Sequence, residues 1–399
     1  MKRRTFFALV LACMMLLTSC GQIKSFSYDG YDPSAAVSQA PGNGDDRVTG
    51  PSRTYDPTFT RITVAHGDAT ENGSGEPSGT VSTEPEPTEF VFPFDPDDFT
   101  LPEFSEEGKP LFWKVTKPGS EGTLYIFGSI HVARYGEKLV PRQVKEVLYK
   151  CDALAVESDV LEIENSTAKS LKYNYTMIYS DGSKVKDHMS KELYDRLCAF
   201  VKAYGYGDSM SFLQIYDCSF WVSFIEQMLM MELGVDAEYG VDRTLLKLAK
   251  EEGISIIELE DAIETIKALA GPENDDYALI ALEDVLMSED FESDIKEYQE
   301  QLYEMLDSWK SGDLEREKAS LEEDYSDLSE EEIKIVEAYN KKILDDRNVK
   351  MIEKAEKMIE NGMTVLYVVG NAHVVGKNGL IDVLTEKGYS IERIETKLP

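Results

Sequence analysis

Beyond Lys109 the chain settles into short apolar runs bounded by turn residues, and these runs predict most of its elements. Leu111–Thr116 and Thr123–Gly128 flank a polar stretch carrying Pro118, Gly119 and Gly122, which reads as a hairpin. Pro141 opens a helix running through Lys150, and Ala153–Glu157 reads as a short buried strand. Helical periodicity follows over roughly 161–175, 190–204, 211–233 and 240–252, and Ile254–Leu259 reads as a further strand. From about 261 to 361 the pattern is helical throughout. Acidic blocks at Glu315–Glu323 and Glu330–Glu332 read as solvated faces, with Ser329 capping a long amphipathic helix. Thr364–Val369 is a strand, a helix follows from about Leu380 to Lys387, and Ile391–Ile394 is a last strand. The predicted class is α/β: a central mixed sheet with a large helical insert. Trp221 and Phe224, one helical turn apart, read as core.

The first 108 residues have another texture. Lys2, Arg3 and Arg4 precede an apolar stretch, Phe6–Leu17, too short to span a bilayer as a helix, and Leu17-Thr18-Ser19-Cys20 follows. The segment resembles a bacterial lipoprotein signal with its lipobox. That resemblance implies removal of residues 1–19 and lipidation of Cys20, which would anchor the protein to the cell membrane facing outward. Residues 20–108 read as an acidic Pro/Ser/Thr/Gly linker, expected to be disordered, and residues 109–399 as the folded domain. Eleven of the fifteen prolines lie at or before Pro110, and from Gly21 to Gly108 seventeen acidic residues face only Lys24, Arg47, Arg53 and Arg61. Such a stretch cannot bury enough apolar surface to offset the entropy of ordering it.

Charge narrows the partners. With 41 basic against 75 acidic residues the net charge is −34, so nucleic-acid phosphate is repelled and nucleic-acid binding is excluded. Setting aside Cys13 in the signal and Cys20 leaves Cys151, Cys198 and Cys218, an odd number at no metal-ligand spacing. A disulfide framework is not expected.

The informative feature is an internal echo. Tyr125-Ile126-Phe127-Gly128-Ser129-Ile130-His131-Val132 and Tyr367-Val368-Val369-Gly370-Asn371-Ala372-His373-Val374 share one frame, in a chain with only four histidines. Glycine at a strand exit permits close approach, and an imidazole three residues later is presented at the strand's carboxyl end, where open α/β sheets bind ligands. The other strands end in acid: Glu157 after one, Glu258 and Glu260 after another. Imidazole with carboxylate is a ligand set for Zn²⁺, Mn²⁺, Co²⁺ or Fe²⁺, and a spare carboxylate can deprotonate water for hydrolysis. Read alone, the two histidines could instead be structural. His66 in the linker and His188 beside Asp187 read as solvated, and Asp242 as either a helix N-terminal acid or a site residue.

Gly128-Ser129-Ile130-His131, Val156-Glu157-Ser158-Asp159, Tyr239-Gly240-Val241-Asp242, Leu259-Glu260, Arg347-Asn348 and Gly370–Gly376 occur in an order that resembles the TraB/GumN family. The resemblance spans about Leu111 to Leu398. It implies a site marked by two Gly-x-x-His motifs and an acid, matched here by His131, His373 and Glu157. Family members include membrane-tethered metal-dependent proteases that clip the Wnt signal and a plasmid protein that shuts down a peptide pheromone. The expectation is therefore a metal-dependent hydrolase of peptides or proteins, with catalytic residues at strand carboxyl ends. His131, His373 and Glu157 would hold a divalent metal (Mn, Co or Zn). Glu157 or Glu260 would act as base, Arg347 would orient a carboxylate or bind substrate, and Gly128, Gly370, Asn371 and Asp242 would shape the site. The alternative is a non-catalytic surface binder that sequesters a peptide or a haem-like ligand. Residues 161–239 are not decisive matches to the family's motifs, so the resemblance carries no substrate specificity.

Overall fold

The protein is described by a computed structural model over residues 107–399; the signal, Cys20, His66 and the linker up to residue 106 lie outside the described residues. The strands are β1 (Phe112–Thr116), β2 (Thr123–Ser129), β3 (Ala133–Arg134), β4 (Ala153–Val156), β5 (Val235–Asp236), β6 (Ser255–Glu258), β7 (Thr364–Gly370) and β8 (Ser390–Arg393). Six of them form one sheet in the order β6-β4-β7-β2-β1-β8, while β3 and β5 pair separately. The β6, β4, β7 and β2 strands run parallel, and β1 is antiparallel to both β2 and β8, so the sheet is mixed as expected.

Strand β7 is central because every residue from Val365 to Gly370 is buried, the continuous apolar run of a parallel strand covered on both faces. Its period of two divides the core. Leu366 and Val368 face one layer with Phe127, Leu154 and Val156, under the helices of the insert. Val365, Tyr367 and Val369 face the other with Met351, Ala355 and Leu380. In the insert, Trp221 and Phe224 are buried with ring centroids 5.6 Å apart, as their spacing predicts.

Two predicted helices are broken, each by a residue that caps a new start. The 161–175 stretch becomes Val160–Asn165 and Thr167–Tyr175, with the Ser166 hydroxyl accepting the Lys169 N–H. The 211–233 stretch becomes Met210–Leu213 and Cys218–Glu232, where Asp217 accepts the Phe220 N–H. The 261–361 region resolves into the helices Ala262–Leu269, Asp275–Leu286, Phe291–Ser311, Leu314–Ser320, Glu330–Asn340 and Asp346–Glu360. Ser329 makes the expected capping box with Glu332. The two-residue strands β3 and β5 and the helix Asn371–Val375 are too short to give a periodic signal, so the sequence pattern does not predict them. Cys151, Cys198 and Cys218 are free thiols. Among the described residues no helix is long and apolar enough to cross a membrane.

Candidate active site

Parallel alignment sends the carboxyl ends of β2, β7, β4 and β6 to one edge of the sheet. Residue Ser129 pairs with Gly370 in the β2–β7 register, so the two Gly-x-x-His motifs leave the sheet side by side. Glu157 follows β4 directly, and the ladder continues past β6 through Leu259 N–H to Val156 and Glu260 N–H to Glu157 (3.0 Å). Two histidines far apart in the chain are thereby neighbours.

The tightest point is Gly370. A Cβ added there would lie 3.1 Å from His131 Nε2, 3.3 Å from Glu157 Oε1 and 3.6 Å from His373 Cδ2. Both imidazoles, Glu157 and the second motif's glycine therefore enclose one small space. The Gly370 N–H also donates to Glu157 Oε1 at 2.6 Å. Gly240 has a comparable role farther from the sheet. Its missing side chain lets the helix Val241–Glu252 begin against the His131 carbonyl, which brings Asp242 to the ring.

Each imidazole is held by Nδ1. His131 Nδ1 meets Asp242 Oδ2 at 2.6 Å, and His373 Nδ1 meets Asn348 Oδ1 at 2.7 Å. The Asn348 amide is oriented by donating its Nδ2 to the Asn378 carbonyl, so its oxygen faces His373 and the proton of that ring sits on Nδ1. His131 borders the enclosed space with Nε2 and His373 with its Cδ2 edge, each ring anchored through Nδ1 as outer partners fix histidine tautomers at metal and catalytic sites.

The environments of the two rings differ. Burial opposes charge on His131, but the charge and hydrogen bond of Asp242, with Glu157, outweigh it and raise its pKa to about 9. His373 has no such acid at its Nδ1, so burial dominates, and with Arg347 nearby its pKa falls to about 3. Burial would raise the pKa of Glu157, yet Arg347, both histidines and the Gly370 amide hold it down at about 2. Near neutral pH the metal-free site thus contains an imidazolium donor, a neutral imidazole with a free lone pair and a carboxylate.

Arg347 is buried and joins the acids. Its guanidinium donates to Glu157 Oε2 (2.5 Å) and to both oxygens of Glu260 (Nε at 3.1 and 2.9 Å). Its acidic partners are therefore carboxylates of the chain itself. Arg347 enters the site just after a π turn, Lys341–Asp345, whose Ile343 carbonyl also accepts from it. Glu258 departs from the group of strand-end acids, accepting instead the Asp159 N–H.

His188, expected to be solvated, is half-buried and has partners within the chain. It stacks on Tyr179 with ring centroids 3.8 Å apart and meets Ser183 Oγ at 2.7 Å and Asp275 Oδ2 at 3.3 Å. Glu317 corrects the reading of its acidic block as a solvated face, because it is fully buried and accepts from Asn371 Nδ2 at 2.8 Å. Leu314, Glu317 and Leu321 fall at helical spacing on one face, the signal that marks it as inward. Asn348 and Trp309 also escape the sequence reading. Asn348 sits beside Arg347 in one of the family-like motifs, whereas nothing in sequence announces that the Trp309 indole donates to the Gly128 carbonyl (2.9 Å).

An α/β sheet whose carboxyl edge joins two Gly-x-x-His motifs to a buried carboxylate–arginine group defines the class of protein. The chain belongs to the TraB/PrgY/gumN family, whose model matches residues 111–393. It is similar to the proteins named "Uncharacterized protein YbaP" of Shigella flexneri and of Escherichia coli (strain K12), at 28% identity over 174 residues in each case, 43% of this chain. The aligned region spans 60% of the length of those relatives. No solved structure matches the chain.

Proposed function

We propose that the protein is a metal-dependent hydrolase of peptides or proteins, lipid-anchored through Cys20 on the outer face of the cell membrane. The observation that carries the reading is the enclosure at Gly370, where His131 Nε2, Glu157 Oε1 and the His373 ring border one space. Two anchored imidazoles and a carboxylate suit Zn²⁺, Mn²⁺ or Co²⁺ in donor type. Among the described residues no three His, Cys, Asp or Glu side chains stand at metal-holding spacing; the residues that would hold the ion are His131 and His373, with Glu157. Such a metal, when bound, supplies a Lewis acid for the scissile carbonyl and acidifies water.

The protein's own groups account for the rest. Arg347 pins one oxygen of Glu157 and Gly370 N–H the other, so the carboxylate keeps a single orientation and stays ionised. Asp242 and Asn348 prevent either ring from turning. Glu157 would then take a proton from a nucleophilic water and pass it to the leaving amine.

Titration of the full chain with Zn²⁺, Mn²⁺ and Co²⁺, followed by a peptide-library turnover assay, tests this. The wild type should bind one metal and cleave, and His131→Ala and His373→Ala should each lose both properties. Stoichiometric peptide binding with neither metal nor product would reject the hydrolase in favour of a sequestering binder.

A further inference from the structure

Two residues of the helical insert hold the two glycine motifs from outside. Trp309, buried at the end of the helix Phe291–Ser311, donates its indole N–H to the Gly128 carbonyl and packs edge-on to Phe127. Glu317, on the next helix, Leu314–Ser320, receives the Asn371 amide. Asn371 in turn is wedged against Gly128: a Cβ on that glycine would collide with Asn371 Oδ1. The chain of contact runs from Glu317 through Asn371 to Gly128, so one buried acid touches the second motif and, through it, the first.

Burial costs Glu317 more as a carboxylate than its single bond recovers, since its Oε1 has no hydrogen-bond partner. Burial accordingly raises its pKa to about 8, with Asn371 and Arg393 pulling the other way and Asp313 adding to the rise. Nearby Asn371 Oδ1 is likewise without a partner. A neutral carboxyl at the back of a glycine motif is a poor choice for stability alone, because an apolar side chain would fill the place at less cost.

We propose that Glu317, acting through Asn371, is a positioning residue that sets the separation of the two Gly-x-x-His motifs. The proposal rests on the reading that His131 and His373 form one site. It explains why the second motif carries asparagine directly after its glycine, and why the first carries a glycine whose missing side chain faces that asparagine.

The chain contains only four histidines, so imidazole NMR of the full chain, without metal or substrate, reports the site directly. Glu317→Gln keeps the shape and the neutral hydrogen bond and should leave the His131 and His373 resonances unchanged. Glu317→Ala should shift both while leaving His188 in place, and should weaken Zn²⁺ binding by about tenfold, as loss of an outer partner does. Asn371→Ala should reproduce these shifts if Glu317→Ala fails to fold, and the double variant should add nothing to Asn371→Ala. A lower melting temperature with unmoved His131 and His373 resonances overturns the proposal, as does a Glu317→Gln spectrum as altered as that of Glu317→Ala. Shifted resonances in a protein that binds no metal would instead uphold the positioning role and reject the hydrolase.

Discussion

Gly370 and His131 face each other across the carboxyl edge of the sheet, and a Cβ on the glycine would stand 3.1 Å from the ring's Nε2. Position 370 has an ordinary negative φ, so the requirement for glycine there is one of space and not of backbone conformation. Gly370→Ala should therefore fold, at a cost of about 1–3 kcal/mol for overpacking. His131 and Glu157 must give way to the methyl group, and metal affinity should fall with them. Urea unfolding and isothermal titration of the full chain check stability and affinity in turn. Wild-type metal binding by the variant would show that the space is not the binding space.

The pair His131–Asp242 makes stability depend on pH in one direction. A histidine raised to about 9 from its ordinary 6.5 contributes stability that is complete below pH 6.5 and is lost as pH rises through 9. Asp242→Asn removes the charge that holds the proton. The His131 pKa should fall by at least a unit in an NMR titration of the metal-free protein, and the variant should lose about 1–3 kcal/mol near neutral pH. Between pH 7 and 10 the gap to wild type should close. A gap that widens toward pH 10 contradicts the assignment.

Arg347 is a harder test, since it neutralises two buried acids at once. Arg347→Met leaves Glu157 and Glu260 facing each other without a cation and should cost about 3–5 kcal/mol. Arg347→Lys should recover only a fraction of that, because an ammonium cannot donate to both carboxylates in the geometry of the guanidinium fork. Adding Glu260→Gln to Arg347→Met should restore some stability, by relieving like-charge repulsion. Thermal melts of the three variants give the order directly, and equal stability of Arg347→Met and wild type would place the charges in water.

How far the sequence reached follows from what lies next to a strand. His131, Glu157, Glu260 and His373 were legible because each follows an apolar run whose end is visible, and parallel strands carry such ends to one edge. Arg347 was legible as a motif but not as a contact, since its direction is set by the π turn before it, which has no sequence period. Glu317 was concealed by its acidic neighbours, and Trp309 by the ordinary look of a tryptophan in an amphipathic helix. The helix breaks at Ser166 and before Cys218 are capping events, in which a side-chain oxygen overrides a periodicity that would otherwise run through. Local pattern reveals what a residue's own element does with it, and it reveals less of what another element brings against it.

Glu317 supplies the last prediction, with a sign opposite to that of Asp or Glu in an ion pair. Its pKa is raised to about 8 from an ordinary 4.5, so the unfolded chain releases this proton at lower pH than the folded chain does. From pH 4.5 to 8 folding is therefore penalised by up to about 1.4 kcal/mol per pH unit, and above 8 the penalty stops growing. Glu317→Gln abolishes this dependence while keeping the bond to Asn371. The stability of the variant relative to wild type should rise steadily from about pH 5 to 8 and then level off. Contributions from His131 are common to both proteins and cancel in the difference. Urea midpoints of the two full chains at unit steps of pH decide it. A difference that stays flat across that window would mean that Glu317 is ionised in the folded protein and that the buried acid has a partner other than Asn371.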